Sequence, residues 1–324
     1  MHEQFDAFWH QHVVEYPIER PDGLTLTSYL YLPEQPRAVL WVSPGRLEAG
    51  IKYQELVYEL AQQQYAVAIL DHRGQGHSER ESDHPQRGHI NDFNDFVGDF
   101  EAFVDMMSAK LPQDLPGVIL GHSMGGAIAA LYLAAGKAPA SIQAAVFSAP
   151  MIGINTGAVP RWLAHLIASA GAYLNRWLSP NKPWYFFGSG DYDHIPFTRN
   201  QLTHSEARYN WFRHLYETHP DIKLGGPTFN WVRQALVACD KAEMIAHEIT
   251  IPVTVIQAGG DKIVDLKAQK RFAAMLQHPR SRLLMIPNCR HEVFMEADVF
   301  RRPALEALLD QLYLVQRTVD PYAE

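Results

Sequence analysis

Gly117-Val118-Ile119-Leu120 is a wholly apolar run that stops at Gly121-His122-Ser123-Met124-Gly125 and gives way at once to Gly126-Ala127-Ile128-Ala129-Ala130-Leu131. That order predicts a buried strand, a sharp turn and a helix of small residues. The glycines on either side of Ser123 carry no Cβ, so backbone can pass close to backbone and hold the serine hydroxyl above the end of a sheet. Ser123 is therefore a candidate nucleophile. A plain strand-to-helix turn is the competing reading, and the rest of the chain has to decide between them.

The same alternation runs through much of the sequence. Val13 to Ile18 and Leu24 to Leu32 read as strands around the turn residues Pro21-Asp22-Gly23, an antiparallel hairpin that follows a short amphipathic start with Phe5, Phe8 and Trp9. From Ala38 onward, short apolar runs alternate with helical patterns: 38–42 as strand, Tyr53 to Gln64 as helix, 66–70 as strand. Phe93, Phe96, Val97, Phe100, Phe103, Val104 and Met107 then form one apolar stripe at helical spacing. Runs of this kind predict a mostly parallel sheet covered by helices on both faces, an α/β fold.

After the strand ending at Ser148 the alternation stops, and residues 151–238 hold Trp162, Trp177, Trp184, Trp211 and Trp231, five of the seven tryptophans. We read this stretch as an inserted helical cap, and residues 1–150 with 239–324 as the α/β core. Strand and helix resume at Pro252 to Ile256, Leu266 to Leu276 and Arg282 to Ile286, and a last helix carries Leu305, Leu308, Leu309 and Leu312.

A serine hydroxyl is a weak nucleophile at neutral pH, so it needs a histidine to take its proton and an acid to orient that histidine. In a parallel sheet such groups gather in loops at the carboxyl ends of strands. The loop after Ile256 supplies Asp261, and the loop after Ile286 supplies His291. Asp265 competes with Asp261, but reads better as the cap of the following helix. His291 stands out among sixteen histidines because it follows the last strand after a short loop. His122 adjoins the serine, yet alternating side-chain direction predicts that it points away. Stabilising an oxyanion takes two amides. Met124, next after the serine, offers one. The Arg46 amide, in the Ser43-Pro44-Gly45-Arg46 loop after an early strand, offers the second. For the Arg46 side chain an ion pair with Glu48 is the simpler expectation, and contact with a substrate phosphate the alternative.

Asp71-His72-Arg73-Gly74-Gln75-Gly76-His77-Ser78 lacks the third glycine and following helix of a dinucleotide loop, and reads as a rigid loop in which Asp71 and Arg73 share a network. His84, His89 and the His10/His12 pair lack metal-ligand spacing, so neither metal nor cofactor is expected. A net charge of −8 without a Lys/Arg run argues against nucleic acid as a partner. Only Cys239 and Cys289 occur, too far apart for a metal or redox motif and in keeping with a reducing compartment. The start has neither a basic nor an apolar leader region, so a cytoplasmic location is the expectation. No stretch is apolar enough to span a bilayer. Val159 to Leu178, apolar with interruptions at Arg161, His165, Asn175 and Arg176, is expected to rest on the inner face of a membrane.

With Pro44-Gly45-Arg46-Leu47-Glu48, Asp71 to Ser78, Gly121 to Gly126, Gly260-Asp261-Lys262-Ile263-Val264 and His291-Glu292 in order, the chain resembles the α/β-hydrolase superfamily. Within it, the chain looks most like the bacterial lysophospholipases related to monoacylglycerol lipases, and Gly225-Gly226-Pro227-Thr228-Phe229-Asn230-Trp231-Val232 resembles their cap motif. The resemblance implies an eight-stranded, mostly parallel sheet, a helical cap, no cofactor, and hydrolysis of an acyl ester through an acyl-enzyme. It assigns Ser123 as nucleophile, Asp261 as acid, His291 as base, and the Arg46 and Met124 amides as oxyanion donors. Pro44 stands where monoacylglycerol lipases usually have histidine, which tilts the choice toward lysophospholipases. Of the cap aromatics, Trp184-Tyr185-Phe186-Phe187 are the first suspects for an acyl channel, with packing inside the cap as the alternative. The alternatives on the same residues are a monoacylglycerol lipase or general carboxylesterase, then acyl transfer, thioester or carbon–carbon hydrolysis, and, from a different class, a non-catalytic lipid-binding or scaffold protein.

Overall fold

Val13–Glu19 (β1) and Thr25–Tyr31 (β2) pair antiparallel in the hairpin that the Pro21-Asp22-Gly23 turn predicts. They form one edge of the sheet in a computed structural model that describes residues 2–319; Met1 and residues 320–324, the outermost residues of the expected core, lie outside it. Val39–Ser43 (β3), Ala66–Leu70 (β4), Gly117–His122 (β5), Ile142–Ser148 (β6), Val253–Ala258 (β7) and Arg282–Ile286 (β8) complete an eight-stranded sheet. Its order is β1-β2-β4-β3-β5-β6-β7-β8, antiparallel at the first two pairings and parallel at the rest.

β3, β4 and β5 are buried along their whole length, which is why they read as unbroken apolar runs. Alternation survives in the direction of the side chains. Val39 and Trp41 enter one core layer with Phe103 and Phe147, whereas Leu40 and Val42 enter the other with Leu56 and Leu308. His2–His12 (α1), Gln54–Ala61 (α2) and Asp298–Val319 (α9) cover the second layer; Phe93–Ser108 (α3), Met124–Ala134 (α4), Phe229–Met244 (α7) and Leu266–Met275 (α8) cover the first. The stripe on α3 is buried at Phe93, Phe96, Phe100, Phe103, Val104 and Met107. Asp265 caps α8 by accepting from the Lys267 amide at 2.8 Å.

From β3 the chain crosses to β4 on one side and then returns to β5 on the other. The carboxyl ends of β3 and β5 thus flank the point where strand order reverses, and no helix fills the crevice there. The Pro44 to Glu48 loop and Ser123 both emerge at it.

Arg161–Leu178 (α5), Glu206–Thr218 (α6) and α7 lie between β6 and β7, a segment that adds no strand to the sheet. Single bridges pin it to the core, Gly88 opposite Pro227 and Ile154 opposite Val264. α7 is continuous through residues 238 and 239, and Trp231, Ala235, Cys239 and Ala242 pack in the same layer as α3 and α4. The change in composition at 238 is therefore not a break in the helix, because α7 buries one face along its whole length. α5 buries only Ala168, Ala172 and Asn175, and leaves Trp162, Leu166, Tyr173, Leu174, Trp177 and Leu178 exposed. No helix among the described residues is long and apolar enough to cross a membrane.

Candidate active site

Ser123 joins β5 to α4 with φ 49° and ψ −115°. A residue with a Cβ occupies that region only under strain of about 1–3 kcal/mol. Here the surroundings impose it. The Ser123 amide donates to the Ser148 carbonyl at 3.0 Å, and the Ser123 carbonyl accepts from the amides of Met151 at 2.9 Å and Gly126 at 3.0 Å. Gly125 is required by contact, since a Cβ there would lie 1.9 Å from the Ser43 carbonyl oxygen. The serine turn is thereby pressed against the loop that follows β3.

The structure brings Ser123, Asp261 and His291 together. His291 Nε2 lies 2.9 Å from Ser123 Oγ, and Nδ1 lies 2.6 Å from Asp261 Oδ2. All three side chains are buried. Asp261 Oδ1 accepts from the Ile263 amide at 2.7 Å, which locks the carboxylate toward the imidazole. With Nδ1–H donated to Asp261, the Nε2 lone pair faces the serine hydroxyl. Burial alone would lower the pKa of His291, but the hydrogen bond and charge of Asp261, helped by Glu292 and Glu48, outweigh it and raise the group above its ordinary 6.5. Such a base can take a proton from a hydroxyl.

The Arg46 and Met124 amides flank the same crevice. Arg46 sits in a turn closed by the Glu48 amide on the Gly45 carbonyl at 3.3 Å, and Met124 opens α4. Neither N–H donates to another group among the described residues. Two amides without an acceptor, one following Ser123 in the chain and one on a loop that lines the same cavity, are donors of the kind an oxyanion requires.

A buried ion network behind these residues has no counterpart in the sequence reading. Lys52 Nζ lies 2.5 Å from Glu48 Oε1 and 2.6 Å from Glu292 Oε2. Glu48 Oε2 also accepts from the Gly45 amide at 2.5 Å and the Tyr53 hydroxyl at 2.7 Å. The network ties the loop after β3, which carries Arg46, to the loop after β8, which carries His291. Burial would raise the Glu48 carboxyl, yet Lys52 and His122 hold it well below the usual carboxylate range. His122 does not point away, as strand alternation predicts. It lies 3.6 Å from each carboxylate, its Nδ1 is 3.1 Å from the Ser148 carbonyl, and its ring centroid is 5.0 Å from that of His291. Alternation ends at the last residue of β5, where the positive φ of Ser123 turns the chain. The sequence signals were slight: Glu292 adjoins His291, and Lys52 is a lone charge between Ile51 and Tyr53.

Two other expectations are corrected. Arg46 does not pair with Glu48, which Lys52 occupies; its Nη2 donates to the Gly225 carbonyl at 2.5 Å, and its guanidinium lies 5.1 Å from the Trp231 ring centre. Asp71 and Arg73 do not share a network. Asp71 accepts from the amides of Gly50 at 2.6 Å and His77 at 2.8 Å, whereas Arg73 turns toward α3 and binds Asp99 at 2.5 and 2.7 Å. The chain turns between them, so each meets a different side of the loop.

A cavity of about 480 Å³ opens onto Ser123 and His291, with Met151, Ile154, Tyr216, Leu224, Trp231 and Val264 among its apolar walls. That volume suits a small organic ligand. Trp184 to Phe187 are not part of the wall. Phe186 and Phe187 instead meet Phe229 edge-on, with ring centres 5.1 and 5.0 Å apart, and Phe187 stays 71% exposed.

A mostly parallel eight-stranded sheet, with a strained serine after β5 and an acid and a histidine following in chain order on later strands, defines the α/β-hydrolase class. The chain belongs to the family described as serine aminopeptidase, S33, whose model matches residues 34–298. It is 34% identical over 308 residues to lysophospholipase L2 of Escherichia coli (strain K12), covering 94% of this chain and 88% of that protein. It is 31% identical over 247 residues to the monoglyceride lipase of Homo sapiens, covering 76% of this chain and 73% of that one. A soluble variant of monoglyceride lipase from Saccharomyces cerevisiae, solved with a substrate analog, shares the fold with a TM-score of 0.73 at 20% identity, over 94% of this chain and 96% of that one.

Proposed function

We propose that the protein is a carboxylic ester hydrolase acting as a lysophospholipase, with Ser123 as nucleophile, His291 as general base and Asp261 as the acid that orients it. The observation that carries the reading is the 34% identity to lysophospholipase L2 across 94% of the chain. The hydrogen-bonded line from Ser123 through His291 to Asp261 supports the assignment of roles.

In this mechanism Ser123 Oγ attacks the ester carbonyl while His291 Nε2 takes its proton, and the Arg46 and Met124 amides hold the oxyanion. His291 then protonates the leaving glycerol oxygen, and water activated by the same nitrogen releases the fatty acid from the acyl-enzyme. Residues 151–238 act as a cap over this site. The apolar walls of the cavity take the acyl chain, where each well-buried apolar side chain contributes about 1.5–3 kcal/mol.

The exposed face of α5 rests on a lipid surface in this reading. The helix carries no acidic residue, and Trp177 and Trp162 are 80% and 68% exposed. Arg161 and His165 are paired with acids of α7, which leaves Arg176 as the exposed basic residue beside this apolar face, an arrangement that suits the boundary of a bilayer. Trp177→Ser is expected to weaken binding to phosphatidylglycerol-containing vesicles about tenfold, without loss of activity on a dispersed ester. Unchanged vesicle binding in a Trp162→Ser/Trp177→Ser variant would remove this surface from the proposal.

The test of the function is a substrate panel of lysophosphatidylcholine, a monoacylglycerol of the same acyl chain and a short p-nitrophenyl ester, run beside Ser123→Ala. Lysophospholipid is expected to give the highest kcat/KM, and Ser123→Ala to reduce all three to background. The likeness to monoglyceride lipases makes preference for the monoacylglycerol the second reading. Preference for the short ester would overturn both.

A further inference from the structure

We propose that the Arg46 and Arg213 side chains form a phosphate subsite in the cavity above Ser123, and that this pair selects a phosphodiester-bearing substrate over a neutral monoacyl ester. The proposal rests on the lysophospholipase reading and names the groups that would recognise its head.

Both arginines line the cavity that holds Ser123 and His291. Both are half-buried, and no carboxylate lies within 4 Å of either guanidinium among the described residues. In each, Nε is buried without a hydrogen-bond partner. Arg46 is held by neutral groups, the Gly225 carbonyl and the face of Trp231. Arg213, on α6, lies over the rings of Tyr209, Phe212 and Tyr216 at 5.1, 5.2 and 5.9 Å, and its Nη1 reaches the Tyr192 hydroxyl at 3.3 Å. Burial pushes the Arg46 guanidinium down to about 10, so it stays charged at neutral pH.

The acids of the same cavity do not compensate these charges. Glu48 and Glu292 are closed onto Lys52. Asp191 and Asp193 are exposed, and Asp191 is bonded to the Tyr185 hydroxyl with His84 3.7 Å away. Cations taken from water without a counter-ion lose hydration free energy, and an anion entering beside them restores it. A guanidinium fork also matches the geometry of phosphate oxygens.

The position of Arg46 fits the shape of the substrate. In the mechanism proposed above its amide holds the oxyanion of the ester, and its side chain lines the same cavity, with Nη2 on the Gly225 carbonyl. In a lysophospholipid only the glycerol carbons separate the ester from the phosphate. One residue thus presents its backbone to the reacting group and its side chain to the head. The chain is built to admit this side chain: a Cβ on Gly88 would stand 2.3 Å from Arg46 Nη2, and the Gly88 amide donates to the Gly226 carbonyl at 3.1 Å.

The experiment compares kcat/KM for lysophosphatidylcholine and a monoacylglycerol of the same acyl chain in wild type, Arg46→Gln, Arg46→Lys and Arg213→Gln. Arg213→Gln is expected to lose about ten- to hundredfold on the lysophospholipid while staying within about twofold on the monoacylglycerol, and Arg46→Gln, at a residue whose amide serves the oxyanion, to lower the ratio of the lysophospholipid to the monoacylglycerol kcat/KM by about ten- to hundredfold. Arg46→Lys should recover part of the loss. Equal losses on both substrates, or none, would overturn the subsite. A second measurement needs no variant: glycerol 3-phosphocholine should slow labelling of Ser123 by a fluorophosphonate in the wild type at concentrations where glycerol does not. Equal effects of the two would also overturn it. If wild type fails to hydrolyse lysophosphatidylcholine, it is the lysophospholipase reading that falls; an active wild type whose variants keep the substrate ratio removes only the subsite.

Discussion

Asp261→Asn is expected to lower kcat about 10⁴-fold and to move the acid limb of the pH profile to lower pH. The loss has a structural cause. Asp261 Oδ2 accepts from His291 Nδ1 at 2.6 Å, and an amide nitrogen at that position presents a hydrogen instead, so the imidazole adopts the tautomer whose Nε2 carries the proton and cannot receive the serine's. The direction of the pH shift follows from the forces on His291. Activity requires neutral His291, so kcat/KM climbs as pH rises through its pKa. In the wild type burial pulls that value down and Asp261 raises it further, so the midpoint lies above 6.5. In the variant burial remains while the largest opposing interactions are gone, and the midpoint falls. The substituted amide side chain keeps an oxygen for the Ile263 amide, so the loop stays folded and the comparison reads chemistry rather than collapse. A rate within tenfold of wild type with an unmoved midpoint would remove Asp261 from the mechanism. Profiles of kcat/KM between about pH 5 and 9 on a soluble ester, with fluorophosphonate labelling rates at each pH, make the measurement.

Lys52→Met is expected to destabilise the fold by about 3–5 kcal/mol, because it leaves two buried carboxylates facing each other without their shared cation. For a chain of this size that corresponds to a fall in Tm of about 4–7 °C. Lys52 is buried, with both partners within 2.6 Å, so no solvent path screens the remaining charges. A proton must then be taken up, by one carboxyl or by His122, which lies 3.6 Å from both. Activity falls as well, since Glu48 fixes the Gly45 amide in the turn that carries Arg46, while Glu292 follows His291 directly. Lys52→Met/Glu292→Gln removes one of the stranded charges and is expected to recover part of the Tm. Scanning calorimetry with activity on a soluble ester distinguishes the outcomes: a Tm within about 2 °C of wild type in Lys52→Met would show that the network contributes little.

The sheet was legible because strands covered on both faces carry apolar residues at nearly every position, and helices between them repeat their apolar residues every third or fourth place. Ser123, Asp261 and His291 were legible for a related reason. A parallel sheet brings every strand to the same edge, so groups just past the ends of β5, β7 and β8 must meet. Lys52 and Glu292 were not legible as partners, because 240 positions separate them and no local pattern links them. The aromatic run from Trp184 to Phe187 misled for a similar reason: composition marks residues as apolar but not which neighbour they meet, and Phe186 and Phe187 meet the edge of Phe229 rather than the cavity.

The amino-acid sequence by itself determined the α/β architecture and the edge of the sheet at which Ser123 emerges, because period and strand order act over a few residues at a time. Only the tertiary structure decided what surrounds that serine. The buried bridge of Glu48, Lys52 and Glu292, the inward turn of His122, and the two arginines without a counter-ion each depend on side chains distant in sequence competing for the same small volume. Burial removes water as the alternative partner, and it is this that makes those choices definite.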